Sequence, residues 1–192
     1  TYVNDLPSLV SSIATSMGDN LIYDSNCIGG YTLNLHSTNA TTISKINADN
    51  WDYVVLQEQS QLPSFDPSQV ATDVYPYADS LNKFIQQNDS CTHTIFYMTW
   101  GRKNGDASNC ASYPPVCTYL GMQDRLRDSY VEMATLFDAE VSPVGAVWKK
   151  FRESYPSIEL YNADESHPSI HGSYLAACTF YAAMYHKSPV GS

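Results

Sequence analysis

The sequence predicts an α/β fold in which helices cover both faces of a mostly parallel β-sheet. Apolar runs at 53–56 and 94–99 are rich in β-branched and aromatic residues, which is typical of strands buried on both faces. Segments with helical spacing of apolar residues alternate with these runs. No repeat, low-complexity segment or linker interrupts the 192 residues, so we expect one domain spanning 1–192.

The first helix is predicted at about 5–18, where Leu and Ile recur at helical spacing. Asp5 is expected to be its N-cap, with Pro7 in the first turn. The apolar run 21–23 predicts a strand that ends near Gly29-Gly30. A short helix at 41–46 then precedes the buried strand 53–56.

The middle and end of the chain continue the alternation. A Gly-, Asn-, Pro- and Cys-rich loop is expected at 101–118, and a short strand or extended stretch at 158–160. The remaining predicted helices lie at about 67–87, 119–137, 144–154 and 169–185, and the remaining strands at 94–99 and 140–143.

The start of the chain departs from this architecture. Each helix of a parallel sheet normally crosses from one strand to the next, whereas this sequence opens on a helix. The first strand of a doubly wound sheet is usually central, beside the ligand site. We therefore expect a further strand upstream of Thr1, supplied by an upstream segment or by a separate chain.

Composition excludes several function classes. Ten Lys and Arg against twenty Asp and Glu give a formal charge of -10, and no basic stripe exists to bind nucleic acid. No apolar run of about 18 residues predicts a membrane span. The sequence contains no Cys-x-x-Cys pair of the kind that binds zinc. We predict neither a metal nor a cofactor.

The cysteines and sequons favour an extracellular protein. Cys110 and Cys117 flank a Pro-Pro loop and could close a short disulfide, and sequons begin at Asn39 and Asn88. With five cysteines, one is left over. It is either buried, for which Cys178 is the best candidate, or paired outside this chain.

The segment Asp164-Glu165-Ser166-His167-Pro168-Ser169 carries the clearest chemical signal. An acid three residues before a histidine lets both side chains converge on one loop, and the pair makes up two thirds of a hydrolytic triad. His167 is predicted to be the general base and Asp164 to hold its tautomer. The alternative is a helix-entry acid beside a surface histidine. His171, one turn later, is expected to be structural.

Five groups of segments together resemble the SGNH/GDSL hydrolases, and more closely a bacterial-type branch known as a domain of unknown function. They are Thr1-Tyr2-Val3-Asn4-Asp5-Leu6-Pro7, Gly29-Gly30-Tyr31-Thr32-Leu33, Asp52-Tyr53-Val54-Val55-Leu56-Gln57-Glu58-Gln59-Ser60, Tyr97-Met98-Thr99-Trp100-Gly101, and the Asp164 segment with Gly172-Ser173-Tyr174-Leu175. The resemblance implies a flavodoxin-like three-layer α/β/α sandwich. It also implies a serine nucleophile in a Gly-Asn-Ser turn about two residues before Thr1.

The resemblance further implies an oxyanion hole. Gly30, or Gly29, would offer a backbone N–H, although a turn glycine with positive φ is the alternative. Family members usually place an asparagine after the next strand. Here Gln59 aligns best as the side-chain donor, and Gln57 is the second candidate and a predicted substrate contact.

Other site candidates follow from position. Trp100 and Arg102 come after the strand 94–99, at the carboxyl edge where sites form. Trp100 could stack on a sugar or pack in the core, and Arg102 could bind a carboxylate. Ser60 is an alternative nucleophile that lacks a glycine-flanked turn. Thr1 is another, if its α-amine served as the base.

These observations predict a secreted serine esterase that acts on a small-molecule or carbohydrate O-acyl ester, such as an acetylated sugar. Its Ser-His-Asp triad would use a serine upstream of Thr1. The alternative is an inactive SGNH-like domain that binds glycans or serves as an extracellular structural or assembly protein. The residue two positions before Thr1 distinguishes the two hypotheses.

Overall fold

A computed structural model of the chain describes residues 3–192. Its sheet contains three parallel strands, β1 (Tyr53–Leu56), β2 (His93–Tyr97) and β3 (Glu140–Ser142), in the order β1-β2-β3. Helical segments connect each strand to the next, as parallel pairing requires. The predicted α/β fold with a parallel sheet is confirmed.

The helices of the described chain follow the predicted alternation, and one of them, α2, was not foreseen. They are α1 (Leu6–Ser16), α2 (Leu33–Ser37), α3 (Ala40–Ile46), α4 (Pro67–Asp73), α5 (Tyr75–Asn88), α6 (Tyr119–Leu136), α7 (Val144–Ser154) and α8 (Ile170–Tyr185). Short 3₁₀ turns lie at Val3–Asp5, Leu62–Ser64 and Pro114–Cys117.

Two apolar layers enclose the central strand. Side chains alternate between the two faces of β2, so Ile95 and Tyr97 point to one layer and Phe96 to the other. Helices α1, α7 and α8 supply the first layer, and α4, α5 and α6 supply the second. The structure is therefore an α/β/α sandwich, as expected, and all three of these strand side chains are fully buried.

Two predicted strands are absent from the sheet. Residues 19–28 have no regular structure, so the strand at 21–23 is wrong. A strand needs a hydrogen-bonding neighbour, and a cavity separates this segment from β1. The stretch 158–160 also pairs with no sheet strand, and the bridge there joins Tyr161 to Pro168 in antiparallel fashion.

Two details of the predicted helices are also wrong. The helix at 67–87 is two helices, broken at Val74 (φ -120°, ψ -54°), because Pro76 has no N–H and its ring crowds the preceding turn. Asp5 does not cap α1, since it is left-handed (φ 47°) and its side chain makes no capping bond. Pro7, the second residue of α1, offers no N–H for such a cap to bind.

The disulfide between Cys110 and Cys117 is confirmed, with 4.6 Å between the two Cα atoms. It closes the irregular loop that connects β2 to α6. Cys178 is half-buried on α8 and unbonded to another cysteine, and burial raises the pKa of its thiol. No helix within residues 3–192 combines the length and apolarity that crossing a bilayer would need.

Candidate active site

The histidine and the acid of the C-terminal motif are in direct contact. The Nδ1 atom of His167 lies 2.6 Å from Oδ2 of Asp164. The other carboxylate oxygen accepts hydrogen bonds from the backbone N–H groups of Ser166, at 2.9 Å, and of His167, at 2.8 Å. One carboxylate therefore fixes both the loop and the imidazole ring, which gives the tautomer that carries its proton on Nδ1.

Hydrogen bonds lower the pKa of Asp164 to about 2. The largest contribution comes from the backbone N–H of Ser166, followed by the His167 ring and the His167 backbone. The carboxylate is therefore charged at any pH near neutrality. Its side chain is 49% exposed to water, which also favours the charged form. The negative charge of Asp164 beside Nδ1 stabilises the imidazolium that forms when the ring acts as a base.

The loop that follows β2, residues 98–118, contacts the loop that carries Asp164 and His167, here called the histidine loop. The indole N–H of Trp100 donates to the Ser166 carbonyl at 3.0 Å. The backbone N–H of Lys103 donates to the Glu165 carbonyl at 2.9 Å, and the Asn104 amide bonds the Glu165 carboxylate at 2.8 Å. Three hydrogen bonds thus join two loops that are more than 60 residues apart in sequence.

Asn4 brings the start of the described chain to the same loop. Its side-chain amide donates to the Pro168 carbonyl at 3.3 Å and to the Ser173 hydroxyl at 2.9 Å. Asn4 itself is left-handed (φ 56°), a conformation that asparagine tolerates better than most residues. Sequence reasoning did not single out this residue, although it lies within the N-terminal motif.

Helix α8 begins at Ile170, three residues after His167. Ser169 is its N-cap, and the serine hydroxyl accepts a hydrogen bond from the Gly172 N–H at 3.2 Å. The prediction that this serine opens the helix is confirmed. The histidine loop is therefore closed on one side by a capped helix and on the other by the β2 loop.

A single cavity of about 910 Å³ brings the predicted site residues together. Asp164 is the one that does not line it, because it lies behind the imidazole ring. The predicted residues on the cavity wall are Gly30, Gln57, Gln59, Trp100, Arg102 and His167, together with the alternative nucleophile Ser60. The roles of these residues remain predictions, and Thr1 lies outside the described residues.

The turn at the predicted oxyanion glycine has positive φ. Gly30 adopts φ +74°, and the Tyr31 N–H closes the turn on the Ile28 carbonyl at 3.3 Å. The conformational reason for a glycine therefore holds, while Gly30 also faces the cavity and Gly29 does not line it. The positive φ of Gly30 is compatible with the predicted role of its backbone N–H as an oxyanion donor.

Gln59 and Gln61, which follow β1, belong to a polar chain. Gln59 Nε2 donates to Gln61 Oε1 at 3.2 Å, and Gln61 in turn donates to the carboxylate of the buried Asp106 at 2.7 Å. The same carboxylate accepts from the Arg102 guanidinium at 3.1 Å. Asp106 thus binds Arg102 directly and Gln59 through Gln61, and sequence reasoning missed this acid.

The Trp100 ring packs against another aromatic side chain, so it is not wholly available to stack on a sugar. Its ring lies flat on Trp148, with 4.0 Å between the centroids and 4° between the planes. Its N–H binds the histidine loop, as described above. The packing alternative therefore accounts for one face of the ring, and only the remaining surface can contact a ligand.

The far part of the cavity lies between the irregular segment 21–28 and β1. Apolar side chains face it, and Ile22 and Val55 are 77% and 38% exposed. Within the described residues β1 is an edge strand that pairs only with β2. An exposed apolar edge of this kind is unusual in a parallel sheet, whose strands are normally covered on both sides.

Within residues 3–192, no group of three or more His, Cys, Asp or Glu side chains is arranged to hold a metal ion.

Solved structures of other proteins share this architecture. A candidate SGNH hydrolase from Slackia heliotrinireducens is 26% identical and superposes with a TM-score of 0.74, covering 96% of this chain and 93% of its own. The chain has the SGNH hydrolase fold. The resemblance drawn from the sequence motifs is thereby confirmed.

Two further structures agree with this assignment of the fold. A DUF4886 family protein from Bacteroides uniformis is 19% identical, with a TM-score of 0.74 over 95% of this chain and 78% of its own. A candidate GDSL-like lipase from Parabacteroides merdae is 14% identical, with a TM-score of 0.66 over 95% and 80%. No protein-family model and no curated protein matches this SGNH-fold chain.

Proposed function

We propose that this SGNH-fold protein is a secreted serine esterase that hydrolyses O-acyl esters. The observation that carries the proposal is the His167–Asp164 pair, joined at 2.6 Å, whose histidine lines the same cavity as Gly30 and Gln59. Its structural neighbours include proteins described as candidate hydrolases and lipases, which supports hydrolysis as the class of reaction.

The nucleophile in this proposal is a serine that precedes Thr1. Its hydroxyl attacks the ester carbonyl while Nε2 of His167 takes the hydroxyl proton. The oxyanion that forms accepts hydrogen bonds from the Gly30 N–H and from the Gln59 amide, whose second N–H is not needed for Gln61. Collapse expels the alcohol, to which His167 returns the proton. Water then hydrolyses the acyl-serine by the same route and releases the acid.

The position of Asn4 supports a serine about two residues before Thr1 as the partner of His167. Asn4 contacts the carbonyl of Pro168, the residue next to His167. A serine about two positions before Thr1 is five residues from Asn4, a length of chain that reaches at most roughly 17 Å. A serine within that span of Asn4 is compatible with a hydroxyl that contacts the imidazole.

The open edge of β1 supports a preceding strand that carries this serine. A strand laid between the segment 21–28 and β1 would pair with the edge that β2 leaves unpaired. It would also cover Ile22 and Val55. The carboxyl end of a strand parallel to β1 would lie at the edge where Gly30, Gln59 and His167 face the cavity. A segment of the same polypeptide or a separate chain could supply it.

The substrate in this proposal is a small-molecule or carbohydrate ester, for example an acetylated sugar. Arg102 and the exposed part of Trp100 line the same cavity as His167 and could contact the alcohol or acyl part. The Cys110–Cys117 disulfide and the absence of a bilayer-spanning helix within residues 3–192 are compatible with secretion.

The test uses the intact protein with the residues that precede Thr1. Hydrolysis of p-nitrophenyl acetate and labelling by a fluorophosphonate probe are expected for the wild type. His167→Ala should lower kcat by about 10³-fold or more. His171→Ala is the matched control, since His171 is an exposed histidine one turn further on α8.

Two results would end the esterase proposal. One is an intact protein that neither turns over the ester nor reacts with the probe, which would favour the inactive glycan-binding or structural protein. The other is a His167→Ala variant that keeps more than a few per cent of wild-type kcat, which would remove His167 from the mechanism.

A further inference from the structure

A buried acid at the end of β1 has no role in the proposed triad. Glu58 follows Leu56 by two residues, and its side chain is 0% exposed. Its neighbours Gln57 and Gln59 line the cavity, whereas Glu58 does not. The carboxylate therefore lies behind the cavity wall, and any effect it has on a substrate acts through other residues.

The Glu58 carboxylate binds two backbone N–H groups from two different segments. Its Oε1 accepts from the Gln59 N–H at 2.6 Å. Both of its oxygens accept from the Leu33 N–H, at 3.2 and 3.1 Å. Leu33 is the first residue of α2 and follows the Gly30 turn by three residues. One side chain thus links the two segments that carry the proposed oxyanion donors.

Leu33 and Leu56 share one apolar layer, and the Glu58 contact adds a hydrogen bond between the two segments. The Gly30 turn is closed within itself, from Tyr31 to Ile28, and Thr32 caps α2 through the Leu35 N–H. Both contacts are local. The Glu58 bond to Leu33 spans 25 residues and joins the turn to the sheet. A shift of about 1 Å in a catalytic donor is enough to lower a rate about 100-fold.

We infer that Glu58 is a positioning residue that holds the Gly30 turn and the Gln59 segment as one unit, so that their donors converge on the same oxyanion. This inference rests on the proposed esterase function. An ionised carboxylate suits the task, because it offers only acceptors to the two N–H groups, whereas an amide would turn its NH₂ group toward one of them.

The ionisation of Glu58 is part of the contact. Burial raises the pKa of Glu58 to about 7, and the two backbone N–H groups partly oppose this rise. The titratable side chain that faces it from α6 is Tyr130, whose pKa is raised by burial and by the charge of Glu58, so Tyr130 stays neutral. Above neutral pH the two N–H groups therefore bind a charged carboxylate, whereas a protonated Glu58 resembles a glutamine side chain in this contact.

The test compares Glu58→Gln with Glu153→Gln in the intact protein, since Glu153 is an exposed glutamate on α7. With p-nitrophenyl acetate, Glu58→Gln should lower kcat by about 10- to 100-fold and leave KM within about twofold. The loss should be largest above pH 7 and shrink toward pH 5.5. Hydrogen exchange should accelerate at residues 28–33, and the Glu153→Gln control should match the wild type in every measurement.

Hydrogen exchange separates this inference from the proposed function. A wild type without esterase activity would end the function, while faster exchange of residues 28–33 in Glu58→Gln would still support the anchoring contact. If the variant does not fold, wild-type exchange at pH 5.5 and 8.5, corrected for the intrinsic rate, replaces it, and lower protection of Leu33 and Gln59 is expected at pH 8.5, because opening the contact returns a buried charge to water. Equal protection, or an active Glu58→Gln variant with wild-type kcat and exchange, overturns the inference.

Discussion

Replacement of Glu58 by glutamine should change how the stability of the protein depends on pH. The folded protein holds this carboxyl with a pKa of about 7, compared with an ordinary value of 4.5. The folded state therefore binds a proton as the pH falls through 7, whereas the unfolded chain does so only near 4.5. By linkage, the Glu58 contribution to the free energy of unfolding is greatest below pH 4.5 and is lost as the pH rises through 7.

The expected magnitude follows from the two pKa values. Each pKa unit corresponds to about 1.4 kcal/mol, so a rise from 4.5 to about 7 corresponds to about 3 kcal/mol. Glu58 is fully buried, so solvent screening does not reduce this figure as it would at the surface. A neutral glutamine has no such dependence, and the variant should lack this part of the pH response.

Other groups titrate in the same protein, so the comparison must be a difference. Burial lowers the pKa of His36, which makes its contribution run in the opposite direction with pH. The pKa of Asp164 is about 2, so it responds only in more acidic solution. Both contributions are common to the wild type and to Glu58→Gln and cancel when one free energy of unfolding is subtracted from the other.

Urea unfolding at pH 5, 6, 7 and 8 provides the measurement. The free energy of unfolding of the wild type minus that of Glu58→Gln should fall by about 2 to 3 kcal/mol as the pH rises from 5 to 8, because the rest of the change lies below pH 5. If the two stability curves run parallel, Glu58 does not titrate with a raised pKa, and the argument from burial is refuted.

Two further predictions concern the loops around the site. In the intact protein, Asp164→Asn should lower kcat as much as or less than His167→Ala, and both should leave the thermal midpoint nearly unchanged, because both side chains are half exposed. Trp100→Phe should keep the ring stack and lose the indole hydrogen bond, lowering kcat by about 10-fold with a small loss of stability.

Each of these has a contrary outcome. A lower thermal midpoint in the Asp164→Asn variant, matching its loss of activity, would point to a structural acid instead of a catalytic one. A Trp100→Phe variant with wild-type kcat would show that the indole hydrogen bond does not position the histidine loop.

Much of the fold could be predicted because its signals are local. The strands β1 and β2 are short runs rich in apolar residues, and α6, α7 and α8 show helical spacing. The break at Val74 does not show in the spacing of apolar residues at 67–87, because it comes from the backbone of Pro76. The strand at 21–23 failed for a different reason: strand formation depends on a neighbour, which no local pattern can supply.

The candidate site divides in the same way. The contact between Asp164 and His167 spans three residues and follows from their spacing on one loop. The residues that hold the site in place were missed, and their contacts are distant in sequence. Glu58 binds Leu33 across 25 residues, and Asn4 binds Ser173 across 169.

The sequence by itself determined the layered architecture, the disulfide between Cys110 and Cys117, and the pairing of an imidazole with an acid, since each depends on residue type and short spacing. Only the tertiary structure decided that Trp100 lies against Trp148, that Glu58 is sealed behind the cavity wall, and that β1 leaves an edge open. The physical reason is that burial, and with it the pKa of a carboxyl group, depends on which distant segments exclude water.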